Sequence, residues 1–339
     1  MNVWPASLPD GIAAGAGALR PRFSVVIEGY NEALGLGSTA ATLAALHRQG
    51  IAPTSIEVIV VGSPAEPHGN AREASPFFAV RRVAADGAHY YQLKNIGVRA
   101  AQGDIVVLAD SDVVPEPGWL EAIEASIDAG ADYSAGLTRF AHEGRGRWPA
   151  WLLDIAASIS WGFTLGRSRA GAVEPRGFLS HNVAFRREVL ATHPFPEEFG
   201  RTCGGSVLYA RLCRDGVRGV LNVRQRVRHA FSFRWWLSRL HPRFGYEVFR
   251  LRRLGSSVVD VRASRLGWFE PIVTMAWHTA LDVPQWLRYS AALGWGCFAR
   301  LAALPVLVCL SLAARSSEMA AMYRTMIAPA RMEAFALRS

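Results

Sequence analysis

The sequence predicts an α/β protein, a mostly parallel sheet flanked by helices, followed by a helical C-terminal region. Three observations carry this. Over the first 130 residues, short β-branched runs alternate with helical stretches, the pattern of strands joined by crossover helices. Those runs are apolar throughout rather than every second residue, as in strands covered on both faces. Beyond about residue 140 the texture changes: nine of the 11 tryptophans lie after residue 147, and long apolar stretches replace the alternation.

Taken in order, residues 1–21 contain Pro and Gly but no basic residue before Arg20, and read as a flexible tail rather than a secretory signal. Residues 23–27 form a β-branched run stopped by Gly29 and Asn31, a buried strand. Residues 39–48, with Leu43 and Leu46 on one face, read as its crossover helix, and 56–61 as a second strand ended by Gly62 and Pro64. A third strand is expected at 77–83, a helix at 90–101 and a strand at 105–109. Pro117 suits the first turn of a helix running to Asp128.

With half of its 339 residues hydrophobic and 19% charged, the chain is too apolar for disorder. The same balance excludes a disulfide scaffold, and the four cysteines have no CxxC spacing, which argues against a structural zinc site. The net charge of +9 is uneven: residues 1–130 carry −6 and residues 131–339 carry +15. Lys94 is the single lysine, so the basic excess is all arginine, a skew that reads more simply as coding bias than as a nucleic-acid surface. No nucleic-acid partner is expected.

In the second half, residues 148–166 hold three Trp and one charge, Asp154, and read as an interfacial or buried helix. Residues 231–253 interleave aromatics with Arg, which an interfacial helix facing anionic lipid explains more simply than stacking on single-stranded nucleic acid. Residues 291–314 carry only Arg300 as a charge and reach the roughly 20 residues of a membrane-spanning helix, although Pro305 lies inside. A single Arg costs about 2.5–3.5 kcal/mol at the centre of such a helix. Membrane association is expected, by a span or at the surface; a buried helical subdomain is the alternative.

The sharpest chemical feature is Asp110-Ser111-Asp112, directly after the strand at 105–109. Open α/β sheets bind ligands at the carboxyl ends of their strands. Two carboxylates there suit Mg²⁺ or Mn²⁺, which take oxygen ligands and are often held by one or two carboxylates plus substrate phosphates. The structural alternative is an acidic turn capping the next helix.

Several segments together carry a resemblance: Val25-Val26-Ile27-Glu28-Gly29-Tyr30-Asn31-Glu32, Ile59-Val60-Val61, Lys94-Asn95-Ile96-Gly97 and the Asp-Ser-Asp turn. Asn182 to Arg187, the Leu208-x-x-Arg211-Leu212 helix and Val227-Arg228-His229 continue it. In this order and spacing they resemble the family-2 glycosyltransferases with a GT-A fold, over roughly residues 22–236. The resemblance implies a catalytic domain at 22–236, leaving a tail at 1–21 and a helical, membrane-associated region at 237–339. It further implies a UDP- or GDP-linked sugar donor held by Glu28, Tyr30, Glu32, Lys94, Asn95, Gly97, Asp110 and Ser111. By the same analogy Asp112, with Asp110 and His229, holds Mg²⁺ or Mn²⁺.

Three departures stand out against that family. Glu28-Gly29 replaces the usual Pro-Thr; the acid that normally ends the second strand is missing from Val61-Gly62-Ser63-Pro64; and the Glu-Asp pair that supplies the catalytic base falls on Gly204-Gly205. The base is therefore unassigned, with Glu197 and Glu198 a few residues upstream as substitutes. The function the resemblance implies is a metal-dependent, inverting glycosyltransferase at the cytoplasmic face of the cytoplasmic membrane. Its acceptor is expected to be a lipid-linked or envelope glycan. The competing reading is a non-catalytic relative that binds a nucleotide-sugar or a partner enzyme. Gly35-x-Gly37-x-x-Ala40 also fits a dinucleotide fingerprint, but it begins about seven residues after its strand instead of immediately after it.

Overall fold

A computed structural model of the chain describes residues 20–33, 37–62, 77–141, 148–169, 172–199 and 201–338. The expected tail lies almost wholly outside the described residues, as do Gly35 of the glycine loop and Ser63-Pro64 after the second strand.

The first half follows the apolar runs. β1 (Phe23–Glu28), β2 (Ile56–Gly62), β3 (Ala79–Ala84) and β4 (Ile105–Asp110) lie in the order β3-β2-β1-β4, all parallel. Every side chain of β1 and β4 is buried, because helices cover both faces. On one face Val25, Ile27, Val58 and Val107 meet Leu46 of α1 (Thr39–Leu46). On the other, Val26, Ile59, Val106 and Leu108 meet Tyr90 and Leu93 of α2 (Tyr90–Ala100). Glycine is required at one of these contacts: a Cβ on Gly97 of α2 would fall 2.3 Å from a methyl of Val26. α3 (Trp119–Asp128) covers the first face beside α1, burying Trp119, Leu120 and Ile123.

The remainder of the sheet corrects the expectation of a mostly parallel arrangement. β5 (Val113–Pro115) pairs with β10 (Gly219–Ala230), and β6 (Tyr133–Ala141), β7 (Leu165–Arg169), β8 (Ala172–Pro175) and β9 (Asn182–Arg186) complete the order β4-β9-β6-β10-β8-β7. Only β10 and β6 run parallel here; β9 is antiparallel to both β4 and β6, and the β10–β5, β10–β8 and β7–β8 pairs are antiparallel. The sheet is mixed. Strand direction is set by where the connection re-enters the sheet, and the long excursion between β6 and β9 returns the chain from the opposite end, which no local pattern records.

The tryptophan-rich half packs as helices against the β6–β10 end. Leu153 to Trp161 of α4 (Ala150–Trp161) are all buried, and Asp154 accepts two hydrogen bonds from Arg139 of β6, at 3.0 and 3.1 Å. This helix is thus a buried one. α5 (Gly204–Arg214) closes the other face of the sheet through Leu208 and Leu212. Then follow α6 (His241–Arg253), α7 (Glu270–Ala292), α8 (Cys297–Ala302), α9 (Leu304–Ile327) and α10 (Pro329–Arg338). Leu137 and Phe140 of the sheet share one apolar cluster with Trp236, Trp286 and Leu307.

Two expectations are corrected in this half. Residues 291–314 do not form one helix: α7 ends at Ala292, Gly294 takes a left-handed φ of 85°, and Pro305 starts α9 instead of interrupting a helix. The one described helix long and apolar enough to cross a membrane is α9, and it carries Arg315 and Glu318. Nor does the 231–253 stretch face outward as a lipid-binding helix. Phe231 and Trp236 are buried, and Arg252 is buried against Glu270 at 3.2 Å and Thr274 at 2.6 Å. Buried arginine needs such partners.

Candidate functional site

The site forms where β1 and β4 end together. Their register places Glu28 opposite Asp110, so two carboxylates meet at the carboxyl edge of the parallel strands. Both are buried, and neither is left bare. Glu28 accepts hydrogen bonds from the Tyr30 backbone N–H at 2.6 Å and from Asn31 Nδ2 at 3.1 Å. Asp110 accepts from Lys94 Nζ at 2.6 Å and from the Tyr90 hydroxyl at 2.8 Å. Burial alone would raise the Asp110 pKa; the Lys94 ammonium and the nearby His181 hold it below the usual carboxylate value. Glu28 goes the other way, pushed well up by burial and by the charge of Asp110. One of the two carboxyls is ionised at neutral pH and the other resists ionisation.

Lys94, the single lysine, is fully buried, extends from α2 beneath the sheet edge and lies 4.8 Å from the Tyr90 ring centre. It neutralises Asp110 from below and does not reach out as a surface cation.

Asp112 is different. Its Oδ2 lies 3.2 Å from His229 Nε2, while its Oδ1 is buried with no hydrogen-bond partner among the described residues. The antiparallel β10–β5 pairing sets His229 opposite Val113, next to Asp112 along the chain. His229 Nδ1 lies 2.8 Å from the Ala230 carbonyl, the usual anchor of a ligating imidazole. With Nδ1–H donating there, the Nε2 lone pair points at a carboxylate oxygen, and a cation or a proton must sit between them. Burial raises the Asp112 pKa against the pull of His229, with Asp110 adding to the rise; a bound cation reverses that balance. An orphaned oxygen beside an anchored imidazole fits Mg²⁺ or Mn²⁺. No group of three or more His, Cys, Asp or Glu is assembled for a metal among the described residues, so substrate oxygens and water would complete the shell.

The other residues expected at the site divide. Ser111 Oγ accepts from the Glu32 backbone N–H at 2.9 Å, fixing the turn. The Glu32 carboxylate bonds Thr39 at the start of α1 and faces that helix. Asn95 is latched to the Phe195 backbone at 2.9 and 3.0 Å and to Glu197 at 2.8 Å, and Gly97 serves the packing of α2 on β1. Tyr30 lies under the Arg201 guanidinium, 4.9 Å from its ring centre, and its hydroxyl donates to the Leu337 carbonyl of α10. Gly37 approaches the Asp-Ser-Asp turn so closely that a Cβ would fall 2.5 Å from Asp112 Cα. The described glycine of the dinucleotide-like loop is thus explained by backbone contact.

Next to the carboxylates a cavity opens, bounded by Tyr90, Tyr91, His181, Arg201, Arg243 and Glu247. Arg201 Nη2 donates to Asn31 Oδ1 at 2.9 Å, while its Nη1 has no hydrogen-bond partner among the described residues. A guanidinium so placed suits a phosphate. Neither Glu197 nor Glu198 lines this cavity: Glu197 is bound to Asn95, and Glu198 lies 3.5 Å from Arg211. Sequence reasoning missed His181, Arg201, Arg243 and Glu247. His181 directly precedes the resembling Asn182 segment and could have been noticed; the others come from loops and helices without a local signature.

A family model described as glycosyl transferase family 2 matches residues 24–193. Among solved structures, the mannosyltransferase PcManGT from Pyrobaculum calidifontis, in complex with GDP-Man and Mn²⁺, is 18% identical with a TM-score of 0.53, covering 91% of this chain and 88% of its own. S. aureus TarS 1–349, in complex with UDP-GlcNAc, is 16% identical with a TM-score of 0.48, covering 90% of this chain and 92% of its own. The first likeness supports a common fold. No curated protein matches this chain.

Proposed function

Since the chain belongs to glycosyltransferase family 2, we propose that it transfers a sugar from a UDP- or GDP-linked donor, with inversion, to a lipid-linked or envelope glycan. The observation that carries this reading is the unpartnered Asp112 Oδ1 beside His229 Nε2, at the strand edge to which the family resemblance assigns the donor. PcManGT, structurally similar, holds GDP-Man and Mn²⁺, and TarS holds UDP-GlcNAc.

Asp112 and His229 would hold a divalent cation, which would supply positive charge to offset that developing on the leaving diphosphate. Arg201, whose Nη1 has no hydrogen-bond partner among the described residues, lines the same cavity and would pair with the donor phosphates. Lys94 and Tyr90 keep Asp110 ionised and immobile, so that its side chain orients the nucleotide side without reorganising during the reaction. Ser111 and Gly37 fix the turn that carries Asp112.

The acceptor reading draws on the surface of the C-terminal helices. Trp268, Phe269, Ile272, Val273, Trp277 and Phe298 are all exposed, Phe298 at 86% and Phe269 at 70%. Monomeric soluble proteins rarely expose large contiguous apolar patches. Arg262 and Arg265, exposed just before Trp268 in the chain, add positive charge to these apolar groups, a combination that suits the headgroup layer of the anionic cytoplasmic leaflet. The enzyme docks on that leaflet as a surface-bound protein.

Thermal denaturation tests the donor site. Mn²⁺ with UDP or GDP is expected to raise Tm, and Asp112→Asn to abolish the Mn²⁺-dependent part of the rise. A Tm indifferent to all of these ligands would sink the donor-site reading.

A further inference from the structure

Attack by an acceptor hydroxyl requires a group that takes its proton, and the geometry points to Glu247 of α6 as that group: we propose that it is the general base, an inference that rests on the transferase reading above.

The assignment follows from the side chains that bound the cavity. Asp110 is tied at 2.6 Å to Lys94 and at 2.8 Å to Tyr90. His229 is turned to Asp112 and to the Ala230 carbonyl. His181 shares its Nε2 with Thr138 Oγ1 at 2.9 Å and is walled by the Trp161 and His229 rings. Gly204 and Gly205, at the start of α5, have no side chain, and the Tyr91 ring fills the space in front of Gly204, where a Cβ would fall 2.4 Å from it. The Tyr91 hydroxyl accepts from the Gly205 N–H at 3.0 Å, sealing that wall.

Glu247 lines the same cavity, next to the Cys203 segment that leads into those glycines. Its side chain keeps 19% of its surface exposed, and its ionic neighbour is Arg243, one helical turn back, at 3.7 Å, a looser pairing than the one that immobilises Asp110. The groups around it are Arg243 and Arg250 on α6, Arg201 and the Cys203 backbone from the segment before α5, and Tyr91 from α2. Burial pushes its pKa above the ordinary carboxylate value, and the arginines and the Cys203 N–H pull against that rise. A carboxylate raised in this way approaches the pKa a base needs near neutral pH. Cys203 holds a left-handed φ of 61°, the single non-glycine residue with positive φ among those described, and its Sγ lies 3.9 Å from the Glu247 carbonyl. Strain of this kind collects at functional sites.

In the step, the acceptor O–H gives its proton to the Glu247 carboxylate while its oxygen bonds the anomeric carbon. The bond from that carbon to the diphosphate oxygen breaks, its electron pair leaves with the nucleoside diphosphate, and Glu247 then passes the proton to water.

The experiment measures nucleoside diphosphate release by the full chain with Mn²⁺, from GDP-mannose, UDP-glucose and UDP-N-acetylglucosamine, with water or an octyl glycoside as acceptor. Glu247→Gln is expected to lower release at least ~100-fold, the usual span of general-base catalysis. It should leave the Tm rise with Mn²⁺ and nucleoside diphosphate intact, and Glu247→Asp should restore part of the rate. The acid limb of the wild-type pH–rate profile should be missing from any residual Gln activity. Release that survives Glu247→Gln within about threefold overturns the base and leaves the transferase reading standing. A wild-type protein that releases diphosphate from none of the donors overturns both.

Discussion

Asp110 and Asp112 stand two residues apart and do different work. Asp110 is locked to a fully buried lysine, so Asp110→Ala leaves an ammonium uncompensated in the interior and should cost about 3–5 kcal/mol in urea denaturation. Asp112 has an orphaned oxygen and a raised pKa, and Asp112→Asn should leave urea stability within about 1 kcal/mol while removing the Mn²⁺ response. Equal losses for the two variants would refute the division of labour. Glu247 gives a pH test of stability. Its folded pKa lies above the unfolded value, so the stability it contributes is present at pH below the ordinary carboxylate value and is lost as pH rises through the folded pKa. Glu247→Gln should therefore gain in Tm over wild type between pH 4 and pH 8. A difference that stays flat or shrinks over that range would contradict the burial argument.

Among the elements, α9 decides how the second half is held together. By length and hydropathy it is the described helix suited to a bilayer, yet Arg315 and Glu318 on it are turned into the protein. Arg315 donates to Asp282 of α7 at 2.6 and 2.9 Å, and Glu318 lies 2.6 Å from His241 of α6. Three helices are thus joined through one buried ionic network. Removing one member strands the rest, and Asp282→Ala should cost about 3–5 kcal/mol, measured by chemical denaturation. A loss under about 1 kcal/mol would show that water replaces the missing carboxylate. Residues 291–314 are divided by the end of α7 at Ala292 and the turn at Gly294, and the charges that α9 turns inward lie beyond them, at Arg315 and Glu318.

For the whole molecule, the sheet is mixed and the C-terminal helices complete the site wall as well as offering an apolar face outward. If that face docks on a membrane, the protein should cosediment with vesicles containing phosphatidylglycerol and bind weakly to pure phosphatidylcholine. Trp268→Ser with Trp277→Ser should weaken binding at least about tenfold with the fold unchanged. Both tryptophans are well exposed, so the substitutions remove little packing within the protein. Binding that the double variant leaves untouched would overturn the docking face.

The sequence by itself determined the parallel core from β1 to β4 and the Asp-Ser-Asp turn at its edge, because apolar runs and strand-ending carboxylates are local signals of burial and of ligand edges. It also carried the family through the order of its short segments. Tertiary structure alone decided the direction of β9, the partner that fills the Asp110 site, and the meeting of Arg201, Arg243 and Glu247 around one cavity. Those contacts join residues far apart in the chain, such as Tyr91 with Gly205, and their energies depend on burial and neighbouring charge, which no window of sequence contains.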